Sequence, residues 1–239
     1  KLKDLRVRLA AKSADATVVG RLDQIAWLLN LRSFDDVPYN PVFEAWLIVA
    51  GHRVQLFLHG GANRLPPGWA RGVPGITVLD YAAFPKALAR LRGRKVLLDP
   101  EAVSAAAVKI LRRTTSRIVE SPGPLDDMKA IKNPSEMRCI ARANELASLA
   151  KTRATLWLRR ETAAGAAPTE RGFLRYLESL YAALPGYRGL SFNTIAATGA
   201  HGAIVHYGAA DDTRARRGDL FLMDSGVHLD GGTTDDTRT

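Results

Sequence analysis

Between Asp15 and Glu120, short apolar runs alternate with segments of helical periodicity, and this alternation constrains the fold more than any other feature of the chain. DATVVG (15–20), EAWLIVAGHRVQLFLHGG (44–61), ITVLD (76–80), KVLLD (95–99) and SRIVE (116–120) are strand-like. The second of these turns back at Gly51-His52, as a hairpin does. RLDQIAWLLNLR (21–32), Tyr81–Leu91 and Pro100–Leu111 are helix-like and lie between the strands. Asp23 is positioned to cap the first of them. Leu2–Ala11 precedes the series as an amphipathic helix, with Leu2, Leu5, Val7 and Leu9 as its apolar positions. Strands and helices in alternation predict an α/β layer, a sheet covered by helices.

The pattern then changes. SPGPLDD (121–127) has the composition of a turn or linker. NPSEMRCIARANELASLAKTRATLWLRR (133–160) predicts one long helix. Asn133 caps it, Pro134 takes the first helical position, and Glu136 stands three residues after the cap. A second helix follows, begun at Pro168 or capped by Thr169. From Leu190 the chain consists of short strands and glycine-rich turns, the order of an α+β domain. Two domains are expected, 1–123 and 124–239. No internal repeat or low-complexity segment is apparent.

Chemistry concentrates in DSGVHLDGGTTDDTRT (224–239). Asp224 ends the apolar run LFLM, and Asp235 lies in a Thr-rich run after the turn signal Leu229-Asp230-Gly231-Gly232. In an antiparallel hairpin with an even loop, positions whose numbers sum to an odd value share a face. Asp224 and Asp235 meet that condition, which puts their Cβ atoms about 5–8 Å apart. Two carboxylates so placed repel unless a proton or a cation neutralises them. Paired Asp ligands suit a hard divalent metal, and a two-metal site is the usual reason to pair them. Asp236 falls on the other face by the same parity, and Asp230 belongs to the turn. The alternative is an exposed acidic hairpin tip, against which the apolar strand before Asp224 argues. His206, in GAIVHYG, is the second candidate: Ala203-Ile204-Val205 is expected to be a strand that delivers it to a strand end. His52, His59, His201 and His228 are expected at turns or on the surface.

Composition excludes several classes. The 239 residues are 46% hydrophobic and 24% charged, as in a soluble globular protein, and no apolar run reaches the length of a membrane span. The net charge is +10, but the clusters Arg112-Arg113 and Arg214–Arg217 lack aromatic interleaving and any nucleic-acid motif. Neither a nucleic-acid nor a membrane partner is expected. The single cysteine, Cys139, rules out an internal disulfide framework, fits a reducing, cytoplasmic setting, and is expected in a helix core. The chain starts without methionine and stops inside a motif, so it is expected to be a piece of a longer protein.

These residues also carry a resemblance. DSGVHLDGGTTDDTRT is similar to the Asp-Ser-Gly … Asp-Gly-Thr-Thr-Asp-x-Thr-Arg-Thr block of Xaa-Pro aminopeptidases (aminopeptidase P), and SFNTIAATGAHGAIVHY to the block upstream of it. LDQIAWLLNLR … DVPYNPVF resembles the domain before the catalytic one in the long, three-domain form. MKAIKNPSEM resembles the start of the catalytic domain. The resemblance implies a creatinase N-terminal-like α/β domain followed by the first part of a pita-bread metallopeptidase domain. It implies two divalent metal ions, Mn2+ first with Zn2+ or Co2+ as alternatives, held by two Asp, one His and two Glu. Asp224 and Asp235 match the two Asp ligands, and His206 matches a substrate-contacting histidine that helps stabilise the reacting carbonyl. The metal pair would supply a hydroxide nucleophile, the substrate would be a peptide with proline second, and the full protein would be a homodimer. The His and two Glu ligands of the family lie further along, so the 239 residues alone are expected to be inactive. LRSFDDVPYNP and the additional glycine of DGGTT depart from the family pattern. A non-catalytic binding module of the same fold, or a prolidase or creatinase, is the alternative.

Overall fold

A computed structural model describes residues 1–114 and 117–239. The fold divides into two compact units, Lys1–Ile131 and Lys132–Thr239.

The first unit is built on one six-stranded mixed sheet of order β4-β3-β2-β1-β5-β6. Its strands are β1 (Ala16–Val19), β2 (Ala45–Ala50), β3 (Arg53–Leu58), β4 (Ile76–Asp80), β5 (Lys95–Leu98) and β6 (Arg117–Glu120). β1, β2 and β3 pair antiparallel and the outer pairings are parallel. The apolar runs are continuous because both faces are covered, the condition for such strands. Leu47, Val49, Val54, Leu56 and Leu97 enter one core, while Ile48, Phe57, Val96 and Leu98 enter the other. Helices α1 (Leu2–Ala11), α2 (Leu22–Leu29) and, later in the chain, Leu125–Ala130 supply the first core; α3 (Phe84–Ala89) and α4 (Ala105–Arg113) supply the second.

Several sequence expectations are corrected here. Val7 is exposed, so only Leu5 and Leu9 of α1 are buried. Asp23 does not cap α2, whose N-cap is Arg21; it lies in the first turn and pairs with Lys129. SPGPLDD leads directly into helix α5 (Leu125–Ala130), whose Leu125 and Met128 are buried in the first core.

The second unit begins with α6 (Pro134–Ala163), a 30-residue helix. Asn133 accepts hydrogen bonds from the N–H groups of Ser135 and Glu136, and the Glu136 side chain accepts from the Asn133 N–H. This reciprocal cap satisfies donors that a helix start otherwise leaves open. A stripe of Ala143, Ala147, Ala150 and Ala154 packs against α7 (Glu170–Ala182) and two three-stranded sheets. One sheet has order β11-β10-β7 and the other β12-β9-β8. Their strands are β7 (Tyr187–Leu190), β8 (Ile195–Thr198), β9 (Phe221–Ser225), β10 (Val227–Leu229), β11 (Gly232–Thr233) and β12 (Asp236–Arg238). No helix among the described residues is long and apolar enough to cross a membrane.

Asn133→Ala removes the cap without touching the core. It should lower the unfolding free energy by about 1 kcal/mol, read from urea denaturation, with the shape of the folded-state circular dichroism spectrum unchanged.

Candidate metal centre

The candidate site rests on one hairpin with a single register. Leu229 pairs with Gly232 and His228 with Thr233, around a two-residue turn, Asp230-Gly231. Past a break at Gly226, Ser225 pairs with Asp236, Thr237 with Asp224 and Arg238 with Met223, which continues the same count. Val227 bridges the break: its carbonyl accepts from the Thr234 N–H at 3.0 Å, and its N–H donates to Thr234 Oγ1 at 3.1 Å. Gly226 is obligatory, since a Cβ there would stand 2.0 Å from the Thr234 carbonyl oxygen and 2.2 Å from Ser191 Oγ. At the tip, Gly231 has φ 79°, and a Cβ on Gly232 would stand 2.6 Å from the Ala143 Cβ of α6. The additional glycine of DGGTT is therefore the step that lets the turn lie against α6.

This register sorts the aspartates. Asp224 is opposite Thr237, and strand alternation carried one residue before β12 puts Asp235 diagonal to it on the same side. In a regular ladder such a diagonal spans about 7–8 Å. Asp235 is exposed and Asp224 half-buried. Asp224 Oδ1 is shut off from solvent with no hydrogen-bond partner, an arrangement that costs free energy unless something else meets the charge. Asp230 stays at the turn and pairs with Arg188 at 2.7 Å.

Asp236 faces the opposite side, and there its half-buried carboxylate meets Lys151. Lys151 is 2% exposed. Its ammonium donates to the Ser225 carbonyl at 2.7 Å, to the Asp236 carbonyl at 2.7 Å, and to the Asp236 carboxylate. All three protons are used. Burial pulls the Lys151 ammonium below its ordinary pKa, against the opposing pull of Asp236. Tyr181, fully buried, shares a hydrogen bond with Ser225 Oγ at 2.9 Å, and burial pushes its phenol upward. The underside of the hairpin is thus clamped at the residue following each of Asp224 and Asp235.

The face bearing Asp224 is organised by the loop that carries His206. Ile195 pairs with Asp224 and Ala197 with Leu222, so these four side chains share one face of the sheet. Tyr207 packs on Ile195, Ala197 and Leu222 there. His206 is its neighbour in the chain, exposed and held at φ 53°. The approach to His206 is not a strand, which corrects the reading of Ala203-Ile204-Val205. A 3-10 turn covers Gly199–Ala203, and Ile204 and Val205 are exposed. β8 ends because Gly199 turns left-handed, at φ 54°.

Glu170, in the first turn of α7 and fully buried, anchors this loop. Its Oε1 accepts from the Thr198 N–H at 2.7 Å and contacts His201 Nδ1 at 2.9 Å. Its Oε2 accepts from the Tyr207 hydroxyl at 2.9 Å and from the Asp211 N–H at 3.4 Å. Burial first, and then the Glu170 carboxylate, push the Tyr207 phenol up to about 12. Asn193 closes the other side of the loop by donating to the Gly208 carbonyl at 3.2 Å.

Other sequence readings change as well. His201 is bound to Glu170, and His228 is buried and contacts Thr233 Oγ1 at 2.9 Å, whereas His59 lies exposed at a turn as expected, pairing with Glu44 and stacking on Tyr81. Cys139 is half-buried beside the glycine turn rather than in the core. Lys151 and Glu170 escape sequence reasoning. For Lys151 a signal exists, because it lies four residues after Ala147 on the buried alanine stripe of α6. For Glu170 none does, because an acid in a first helical turn usually answers only the helix dipole.

Comparison with known proteins identifies the family of the chain. Residues 1–136 match the creatinase/prolidase N-terminal domain, and residues 138–239 match metallopeptidase family M24. The chain belongs to the creatinase/prolidase family, with an M24 metallopeptidase domain second. The Xaa-Pro aminopeptidase ApepP of Drosophila melanogaster is 34% identical over 98% of this chain and 39% of its own length. A probable Xaa-Pro aminopeptidase P of Laccaria bicolor is 35% identical over 100% of this chain and 38% of its own. The M24 chain thus spans about two fifths of the length of these curated relatives. The X-prolyl aminopeptidase of Caenorhabditis elegans, described as a cytosolic enzyme with a di-nuclear active site, superposes with a TM-score of 0.89. It is 30% identical, over 99% of this chain and 40% of that one. A prolidase from Pyrococcus horikoshii shares the creatinase-type, pita-bread fold at a TM-score of 0.73 and 20% identity, over 99% of this chain and 63% of its own.

Gly226→Ala tests the hairpin register directly. Overpacking costs about 1–3 kcal/mol, and a clash with a backbone carbonyl belongs at the upper end. The melting temperature of the second unit should fall by about 10 °C or more in thermal circular dichroism.

Proposed function

We propose that this chain forms the middle domain and the first part of the catalytic domain of a metal-dependent aminopeptidase. That enzyme removes the N-terminal residue from peptides with proline second. The observation that carries the reading is the buried, unpartnered Asp224 Oδ1, on the sheet face it shares with Asp235 in an M24 domain. The names of the relatives, Xaa-Pro aminopeptidases, supply the substrate class.

The residues fit a divalent cation. Two carboxylates on one face, one of them with a desolvated free oxygen, are the donors a hard cation takes. Asp224 and Asp235 would hold it, with Mn2+ the first candidate and Zn2+ or Co2+ alternatives. Two such ions, when bound, acidify a water and polarise a scissile carbonyl. The chain's own residues do the rest. The rigid underside formed by Lys151 and Tyr181 keeps the two carboxylates from drifting apart. His206, held outward on its loop, would meet the substrate and donate a hydrogen bond toward the oxygen on which charge develops. The turn at Asp230 is spent on closing the hairpin and takes no part.

Two carboxylates make an incomplete donor set for two ions. We therefore assign the full activity to a protein of the relatives' length, acting in the cytoplasm as a homodimer, with no nucleic-acid or membrane partner. The 239-residue chain alone should bind manganese weakly and turn over little or no substrate. Calorimetric titration with Mn2+ checks the first point, and Asp224→Asn should reduce that binding at least about tenfold, since it removes a ligand charge. Assays on peptides with proline second, beside matched peptides with alanine second, check the second. Robust turnover by the 239 residues alone would sink the divided-site reading. Cleavage confined to dipeptides, by the longer protein, would place it with the prolidases.

A further inference from the structure

The one grouping of three metal-capable side chains among the described residues is Glu170, His201 and Asp211, with ligand atoms within 4.8 Å of one another. It is satisfied without an ion. Both Glu170 oxygens already receive hydrogen bonds, and Asp211 accepts from the Thr213 N–H at 2.7 Å. Its geometry serves a different end, since the partners of Glu170 are distributed along one loop. Thr198 closes β8, His201 lies in the 3-10 turn, Tyr207 follows His206, and Asp211 ends the segment.

We propose that Glu170 is the positioning residue for His206: one buried carboxylate fastens the loop before and after it and so presents the imidazole on the face of Asp224. This rests on the reading of His206 as the substrate-contacting histidine. Three observations carry it. His206 sits at φ 53°, in the left-handed region that non-glycine residues adopt uncommonly. Ile204 and Val205, the residues just before it, are exposed and offer no apolar anchor. The anchoring on the far side is Tyr207, whose ring packs on the sheet while its hydroxyl reaches both Glu170 and the Ala209 carbonyl.

The chemistry of the carboxylate makes the role specific. Glu170 meets donors on both sides, the Thr198 N–H on one oxygen and the Tyr207 hydroxyl and Asp211 N–H on the other, so both oxygens accept. A glutamine has the same shape but one accepting end. If its oxygen faces Thr198 and His201, its amide faces the Asp211 N–H, donor against donor. The Tyr207 hydroxyl can turn to accept, but the Asp211 anchor is lost. Glu170→Gln therefore loosens the segment after His206 while filling the same volume.

Two measurements test this. In the 239-residue chain, Glu170→Gln should raise amide hydrogen exchange at 204–211 at least about tenfold with exchange in α6 unchanged, the mark of local opening. Unchanged exchange at 204–211 would overturn the proposal. Should Glu170→Gln fail to fold, Tyr207→Phe removes one of the anchors alone and is expected to move the same segment in the same direction. In the protein of the relatives' length, Glu170→Gln should lower kcat about 10–100-fold on peptides with proline second, with KM within about twofold, as misplacement of a group does. Combined with His206→Ala it should add nothing further, whereas multiplicative losses would overturn the proposal. Manganese affinity should be unchanged. A wild-type protein that does not cleave such peptides refutes the aminopeptidase reading, and the exchange measurement then still decides whether Glu170 fastens the loop.

Discussion

The register of the Asp230-Gly231 hairpin is the constraint on which the rest of the second unit depends. Side chains alternate across a strand, so a slip of one residue would exchange every inward group for an outward one. Asp235 and Thr237 would turn into the alanine-lined core, and Asp236 would emerge on the open face. Three features, each built on the same pairing, oppose that slip. The turn lies on α6, where only glycine fits; Gly226 lies under the Thr234 carbonyl, where again only glycine fits; and Lys151 takes the carbonyls of two directly paired residues, Ser225 and Asp236. Each is worth little without the others, because each presupposes the same pairing.

The sheet of β8, β9 and β12 accordingly has two sides with different tasks. Ala196, Met223 and Ser225 face the helices and fix geometry. Ile195, Leu222 and Asp224 face the loop of His206 and leave one carboxylate oxygen unmet. Beneath the sheet, Lys151 and Tyr181 have their hydrogen bonds made within the protein, so the carboxylate above is held by groups that need no ligand.

Sequence patterns revealed the elements whose causes are local. The capping box at Asn133 lies within four residues, the Gly51-His52 hairpin within one turn, and the parity of Asp224 and Asp235 follows from a two-residue loop. What stayed hidden has distant causes. Lys151 meets its partners 74 and 85 positions away, and Glu170 meets Asp211 41 positions away. No periodicity encodes such contacts. Asp23 misled because an acid near a helix start suits both a cap and a first turn, and the choice was made by Lys129 of a helix 106 positions later. Ala203-Ile204-Val205 misled because three apolar residues read as a strand when the glycine that ends β8 and the carboxylate that captures the loop are not visible together.

The Lys151–Asp236 pair has a consequence for how this protein can change over generations. Separating a buried ion pair leaves one charge stranded, at a cost of about 3–5 kcal/mol, whereas replacing both partners by apolar groups of similar volume is often nearly neutral. Either position alone is therefore a barrier, while the two together are an open door. Residues 85 apart on the chain are thereby coupled, and a change at one is expected to be tolerated better together with a change at the other.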